Sequence, residues 1–209
     1  MNRNQLIQYT KTLIDEVSPV NGLEDDIVIA DFGEDKPVDD FVESLLDESA
    51  TETQLLAPTY YLNSSDIDFQ NVRVSDGVGE VDKPKDFLKI TRFKLHSWER
   101  PVNVSVSEGS PLANVQGNKY LRGGKAKPIV VEERDYLRIY PVSLDDIDAD
   151  NNLEYAKNCV AEQVNGELQV PMCWLTASKV LSVVGNMNGA KNAKDRFVEL
   201  IQGVKRRVV

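Results

Sequence analysis

The sequence predicts an α+β protein: helices at the N- and C-terminal ends form one helical bundle, and a large antiparallel β region is inserted between them. Three observations carry this. Apolar residues recur with helical spacing in the first 57 residues and again after residue 171, and the intervening segments are short and rich in β-branched and aromatic residues. A chain of 209 residues with 41% hydrophobic residues suits one domain carrying an insertion better than two independent domains. The expected boundaries are 1–62 plus 171–209 for the bundle and 63–170 for the β-rich insertion.

NQLIQYTKTLIDEV places Leu6, Tyr9, Leu13 and Val17 on one stripe, with Ile7 and Ile14 beside it, and Ser18-Pro19 and Asn21-Gly22 are the expected stop. A second helix is signalled by Pro37 in its first turn and by Asp39 and Asp40 near its positive end. Val38, Phe41, Val42, Leu45 and Leu46 form its apolar set, and Pro58 ends it after Leu55, Leu56 and Ala57. From Ser64 the period changes. IDFQNVRV, FLKITRFKL, RPVNVSV and PIVVEERDYLRIYPV are strand-like and divided by Gly, Pro and Asp. Residues 153–170 fit helix or strand; Asn165-Gly166 favours a hairpin turn and hence strand. Pro171 is expected to open a helix that is apolar nearly all round, MCWLTASKVLSVV, capped by Gly185. After a turn at Asn188-Gly189, the stripe Ala190, Ala193, Phe197, Leu200, Ile201 makes the last helix.

No apolar run approaches the roughly 18 residues needed to cross a bilayer, and the N-terminus lacks the apolar core of a secretory signal, so the expectation is a protein that stays where it is made, without a membrane partner. Cys159 and Cys173 have no metal-ligand spacing and read as buried thiols. The one histidine, His96, reads as a partly buried ring. Neither metal nor cofactor is expected.

The net charge of -10 is unevenly spread. Residues 1–81 hold 18 acids against 4 bases, residues 82–142 hold 7 against 12, and residues 143–209 hold 9 against 8. An acidic segment followed by a basic middle can give subunits faces of opposite sign.

The basic centre is QGNKYLRGGKAKPIV, residues 116–130. It is not a P-loop: Gly124-Lys125 is followed by Ala126 rather than Ser or Thr, and Lys119 stands where the first glycine belongs. It is not a dinucleotide fingerprint, because strand-like Pro128 to Val131 follows the glycines instead of a helix. Lys119, Tyr120, Arg122, Lys125 and Lys127 mix cations with an aromatic ring, as nucleic-acid patches do, but the overall charge repels phosphate. The runs Glu24-Asp25-Asp26, Asp39-Asp40 and Asp145-Asp146 carry acid without geometry and read as wet faces rather than a general acid and base. No Ser-His-Asp or Cys-His arrangement with supporting glycines stands out. No catalytic residue is assigned.

In order, VDDFVESLLDESATETQLLAP, KPKDFLKI, SWERPVN, QGNKYLRGGKAKPIV with LRIYPV, and CWLTASKVLSVVGNMNGAKNAKDRFVELIQ resemble the head-to-tail connector (neck or adaptor ring) proteins of tailed bacteriophages. The resemblance is closest to the portal-proximal ring proteins of crAss-like phages. It covers most of the chain with loose motifs. It implies a non-enzymatic structural subunit of the virion, made in the host bacterial cytoplasm. The subunit would sit at the portal vertex in a homo-oligomeric ring of roughly twelve copies. Its implied partners are the portal protein and adjacent neck or tail rings, with double-stranded DNA passing unbound through the ejection channel. By the same implication Lys119, Tyr120, Arg122, Lys125 and Lys127, with Trp98, Arg100 and Pro101, form a subunit or ring-ring interface, and Lys205, Arg206 and Arg207 dock on the portal. The alternatives from other classes are a carboxylate-dependent hydrolase of the virion and an acidic, DNA-mimicking binding protein.

Overall fold

A computed structural model of the chain describes residues 1–17, 38–118 and 120–206, with the side chain of residue 38 excepted. Ser18-Pro19, Asn21-Gly22, Glu24-Asp25-Asp26, Pro37, Lys119 and Arg207 therefore lie outside the described residues. The protein is α+β, with helices towards both termini and two β-sheets between them. It divides into a helical unit, 1–62 and 158–209, and a β unit, 63–157.

The helical unit contains α1 (Arg3–Val17), α2 (Val38–Leu56), α4 (Gly166–Val183) and α5 (Met187–Arg206). On α1 the expected stripe is the buried one, with Leu6, Ile7, Leu13 and Ile14 inside. Helix α4 is buried on nearly every side, as its all-round apolar sequence requires, and α1, α2 and α5 pack on it. Its end is a Schellman cap: Gly185 takes φ +82°, the Asn186 N–H donates to the Leu181 carbonyl at 2.9 Å, and the Gly185 N–H to Ser182 at 3.3 Å. The Asn186 side chain then accepts from the Gly189 N–H at 2.9 Å and opens α5. The reversal between the last two helices is thus Val184 to Asn186; Asn188 and Gly189 are the first turn of α5, not the connecting turn.

The expected second boundary at 170/171 moves to 157/158. The strand ends at Lys157, and two polar side chains of α2, one buried and one half-exposed, tie the next residues to the helices. Gln54 donates to the Cys159 carbonyl at 2.9 Å and accepts from its N–H at 3.2 Å, and Asp47 accepts from the Ala161 N–H at 3.0 Å. Asn165 is not in a hairpin; it caps α4, accepting from the Glu167 N–H at 3.0 Å. Pro171 lies inside α4, where its missing N–H removes one helical bond and its ring is buried. Both cysteines are buried and neither forms a disulfide.

Five of the six acids of α2 are held by bases on its neighbours. Arg3 reaches Glu43 at 2.7 Å, Asp47 at 3.2 Å and Glu162 at 3.4 Å, Lys11 meets Asp39 at 2.6 Å, and Lys179 meets Glu48 and Glu52 at 2.7 Å each. Burial works against the charge of Asp47, but the Ala161 N–H and Arg3 outweigh it and hold its carboxyl below the ordinary value.

The β unit holds β1 (Ser64–Asp66), β2 (Arg73–Ser75), β3 (Val78–Asp82), β4 (Phe87–Lys94), β5 (Val106–Ser107), α3 (Pro111–Gly117), β6 (Ile129–Glu132), β7 (Tyr136–Tyr140) and β8 (Asn152–Lys157). One sheet runs β1-β8-β4 and the other β2-β3-β7-β6-β5. Every pair is antiparallel except β5 with β6. In β4 a bulge between Ile90 and Arg92 changes the buried phase from Leu88 and Ile90 to Phe93 and Leu95, so both halves of FLKITRFKL still face the core. That core draws on both sheets, including Ile90, Phe93, Trp98, Val130, Leu137, Ile139 and Tyr155.

One of the acids read as lying on a wet face belongs inside the β unit. Asp145 is exposed, but Asp146 is fully buried and accepts from the Ser97 N–H, the Ser97 hydroxyl and the Ser143 N–H, each at 2.8 Å. Three donors satisfy the carboxylate and pin the turn after β4 to the one after β7. His96 is exposed rather than partly buried, because β4 ends at Lys94 and the ring falls in the turn.

The two tryptophans report the units separately, Trp98 the β unit and Trp174 the helices. Asp146→Ala leaves three donors without their acceptor and is expected to cost the β unit about 3 kcal/mol, read as a lower urea midpoint for Trp98 fluorescence in a Trp174→Phe background. Because the Asp47 carboxyl is depressed when folded, its contribution is present above the ordinary aspartate value and lost as pH falls towards the lower folded one. Asp47→Asn should therefore lower the neutral-pH stability reported by Trp174 and flatten its acid dependence below about pH 4.

Candidate functional site

Parallel strands cannot be joined by a hairpin, and β5 and β6 are joined by a crossover of residues 108–128 that leaves the sheet edge and returns. Helix α3 begins it, with Ser110 accepting from the Ala113 N–H at 3.2 Å and Pro111 in the first turn. After the helix the Asn118 carbonyl accepts from the Leu121 and Arg122 N–H groups at 3.0 and 2.9 Å. The Asn118 side chain accepts from the Tyr120 N–H at 3.0 Å.

Two side chains fix this crossover. Gln116, buried on α3, accepts from the Gly123 N–H at 3.1 Å. Arg122 donates through Nε to the Gln116 carbonyl at 3.1 Å and through Nη1 to the carbonyl of Asp76, and its guanidinium lies over the Tyr140 ring at 5.4 Å. Asp76 and Gly77, both at positive φ, are the two central residues of the β2–β3 hairpin. Gly123 has no substitute: a Cβ there would stand 2.8 Å from the Lys127 carbonyl oxygen.

The predicted interface residues separate into two groups. Tyr120 is 95% exposed, and Lys125, Lys127, Arg100 and Pro101 are exposed. The Glu99 N–H donates to the Lys125 carbonyl at 3.2 Å, so the segment bearing Arg100 and Pro101 runs beside the loop. Trp98 is a correction. Its indole is buried in the β core and donates to the Pro141 carbonyl at 2.7 Å, which removes it from any contact surface. Arg122 is spent within the chain. In the helical unit Lys205 and Arg206 are exposed in the last turn of α5, where they also complement its dipole.

The sequence reading missed the apolar component. Of the six exposed large apolar residues in the β unit, five lie between Val104 and Leu121: Val104, Leu112, Val115, Tyr120 and Leu121. Only Leu144 lies elsewhere. The missed signal was PLANVQG, too short for an amphipathic reading but bearing Leu112 and Val115 one turn apart. These exposed apolar side chains thus share a stretch of chain with the exposed cations Lys125 and Lys127.

At the start of the crossover the Glu108 N–H donates to the Glu132 carbonyl at 3.3 Å. Neighbouring Glu133 is buried, and that burial, with a hydrogen bond shared with the Glu108 carboxyl, pushes its own carboxyl above the ordinary value, although Arg138 lies 2.8 Å away. Among the described residues no three His, Cys, Asp or Glu side chains are grouped to hold a metal ion, and no helix is long and apolar enough to cross a membrane.

No family model matches the chain, and no curated protein is significantly similar to it.

Arg122→Ala removes the guanidinium link to Asp76 and Tyr140. Trypsin cleavage after Lys125 is expected to accelerate about tenfold, followed by mass spectrometry, while Trp98 fluorescence stays native.

Proposed function

We propose that the chain is a structural subunit of the neck of a tailed bacteriophage, forming a closed ring that binds the portal and connects capsid to tail around the DNA channel. One observation carries the reading: exposed apolar and basic side chains are gathered on a crossover segment that internal hydrogen bonds hold in one shape. An ordered surface of this composition supports protein contact more directly than it supports chemistry, since its cations surround no convergent set of acid, base or nucleophile.

Closure of a ring by a heterologous interface needs two different, complementary patches on each subunit. The basic crossover is one. The acidic N-terminal part of the sequence offers the other sign. The motif order described above supports a place next to the portal, and Lys205, Arg206 and Arg207 are the proposed docking residues. With a net charge of -10 per copy, phosphates are repelled rather than bound, which suits a conduit for DNA.

Light scattering after size exclusion, alone and with the portal, tests this. A ring, or a complex with the portal that Lys205→Glu with Arg206→Glu weakens, is the expected result. A chain that remains a monomer in both samples and is missing from purified particles defeats the proposal.

A further inference from the structure

We infer that the apolar and basic crossover of one copy receives the sequence Glu24–Asp35 of a neighbouring copy. The inference rests on the ring reading, which puts the two elements on different copies.

The recipient is the stretch of chain that exposes Val104, Leu112, Val115, Tyr120 and Leu121. Exposed bases flank it on both sides along the chain, Arg100 before and Lys125 and Lys127 after. The segment containing them, residues 99–127, has five bases and two acids in an otherwise acidic chain. Its occupant must present apolar side chains between carboxylates.

EDDIVIADFGED, residues 24–35, has that composition. Ile27, Val28, Ile29, Ala30 and Phe32 lie among six acids, and the segment contains no base. The other acidic stretch of the N-terminal part is a poorer candidate, because Arg3, Lys11 and Lys179 already hold the carboxylates of Asp39, Glu43, Asp47, Glu48 and Glu52. An apolar run bounded by acids matches an apolar surface bounded by bases both in register of polarity and in sign. The sequence travels with every subunit, so each copy carries one face and one occupant, the arrangement that propagates around a ring.

The test uses full-length chains. In the first variant Lys125→Glu and Lys127→Glu reverse the face; in the second, Asp31→Lys and Glu34→Lys reverse the occupant. Lys125 and Lys127 are exposed, and circular dichroism checks that every variant keeps the fold. Each variant alone is expected to self-associate about 100-fold more weakly than the wild type. Mixed in equal amounts they should assemble again, since reversed face meets reversed occupant and the remaining contacts are unaltered. A third variant, Tyr120→Ser with Leu121→Ser, should weaken assembly without rescue by either.

Three results would overturn the inference. If both charge variants form wild-type rings, the ring reading stands and this contact is wrong. If the mixture stays dissociated while one chain carrying all four reversals regains native stability as a monomer, the occupant belongs to the same chain. A wild-type chain that forms no ring, alone or on the portal, removes the ring reading and this contact with it.

Discussion

The parallel pairing of β5 with β6 is the constraint on which the rest of the β unit's outer surface depends. Two ladder positions, Val106 with Val131 and Ser107 with Glu132, oblige the chain to leave the sheet edge and come back in the same direction. The crossover so created has little core of its own; Gln116 is the one buried residue of α3. Polar bonds therefore set its shape, and they converge on Arg122. By reaching the Asp76 carbonyl across the β2–β3 turn, that side chain fastens the crossover to the far edge of the same sheet.

Charge counted along a sequence differs from charge presented by a fold. The N-terminal 81 residues hold 18 acids and 4 bases, yet the α2 acids meet counter-ions from α1 and α4, the latter far away in sequence. Lys179 is the one base on α4, and its ammonium meets both Glu48 and Glu52. Such half-exposed pairs add little stability each. What they do is fix which side of α2 turns inward, and they remove most of that helix from the pool of free negative charge.

The α+β arrangement was legible because period and residue type changed together near Ser64, and Gly185 was legible as a cap because only a positive φ lets α4 stop and reverse there. Residues 158–170 were not, since the signals that place them are partners distant in sequence: Gln54 holds Cys159, and Asp47 holds Ala161. Asn165-Gly166 shows the ambiguity of one dipeptide, for Asn serves a hairpin turn or a helix N-cap equally well. At the candidate site, composition identified the right segment but not the division of labour within it. Trp98 and Tyr120 look alike as interface aromatics, and only the fold shows that one indole satisfies the Pro141 carbonyl inside the core while the other ring stands in solvent. Arg122 shares a loop with Lys125 and Lys127, but its planar fork with several donors is suited to tying backbone carbonyls together, so the sequence neighbours have opposite roles.

On the proposed reading, two electrostatic ranges act in sequence. Beyond roughly 8 Å at physiological ionic strength only a weak repulsion between copies of like net charge survives screening. At contact the local sign decides. Two crossovers meeting face to face would set Lys125 and Lys127 against their own copies, and two acidic segments would do the same with carboxylates, so both symmetric pairings are disfavoured. The mixed pairing, basic crossover to acidic segment, is the one left, and it has direction: each subunit gives one side and receives with the other. An interface of that kind can propagate from copy to copy, and whether it closes into a ring or into a reciprocal dimer depends on the angle between its two sides. The apolar residues from Val104 to Leu121 then supply the non-directional attraction, while the charges choose the orientation in which it is used.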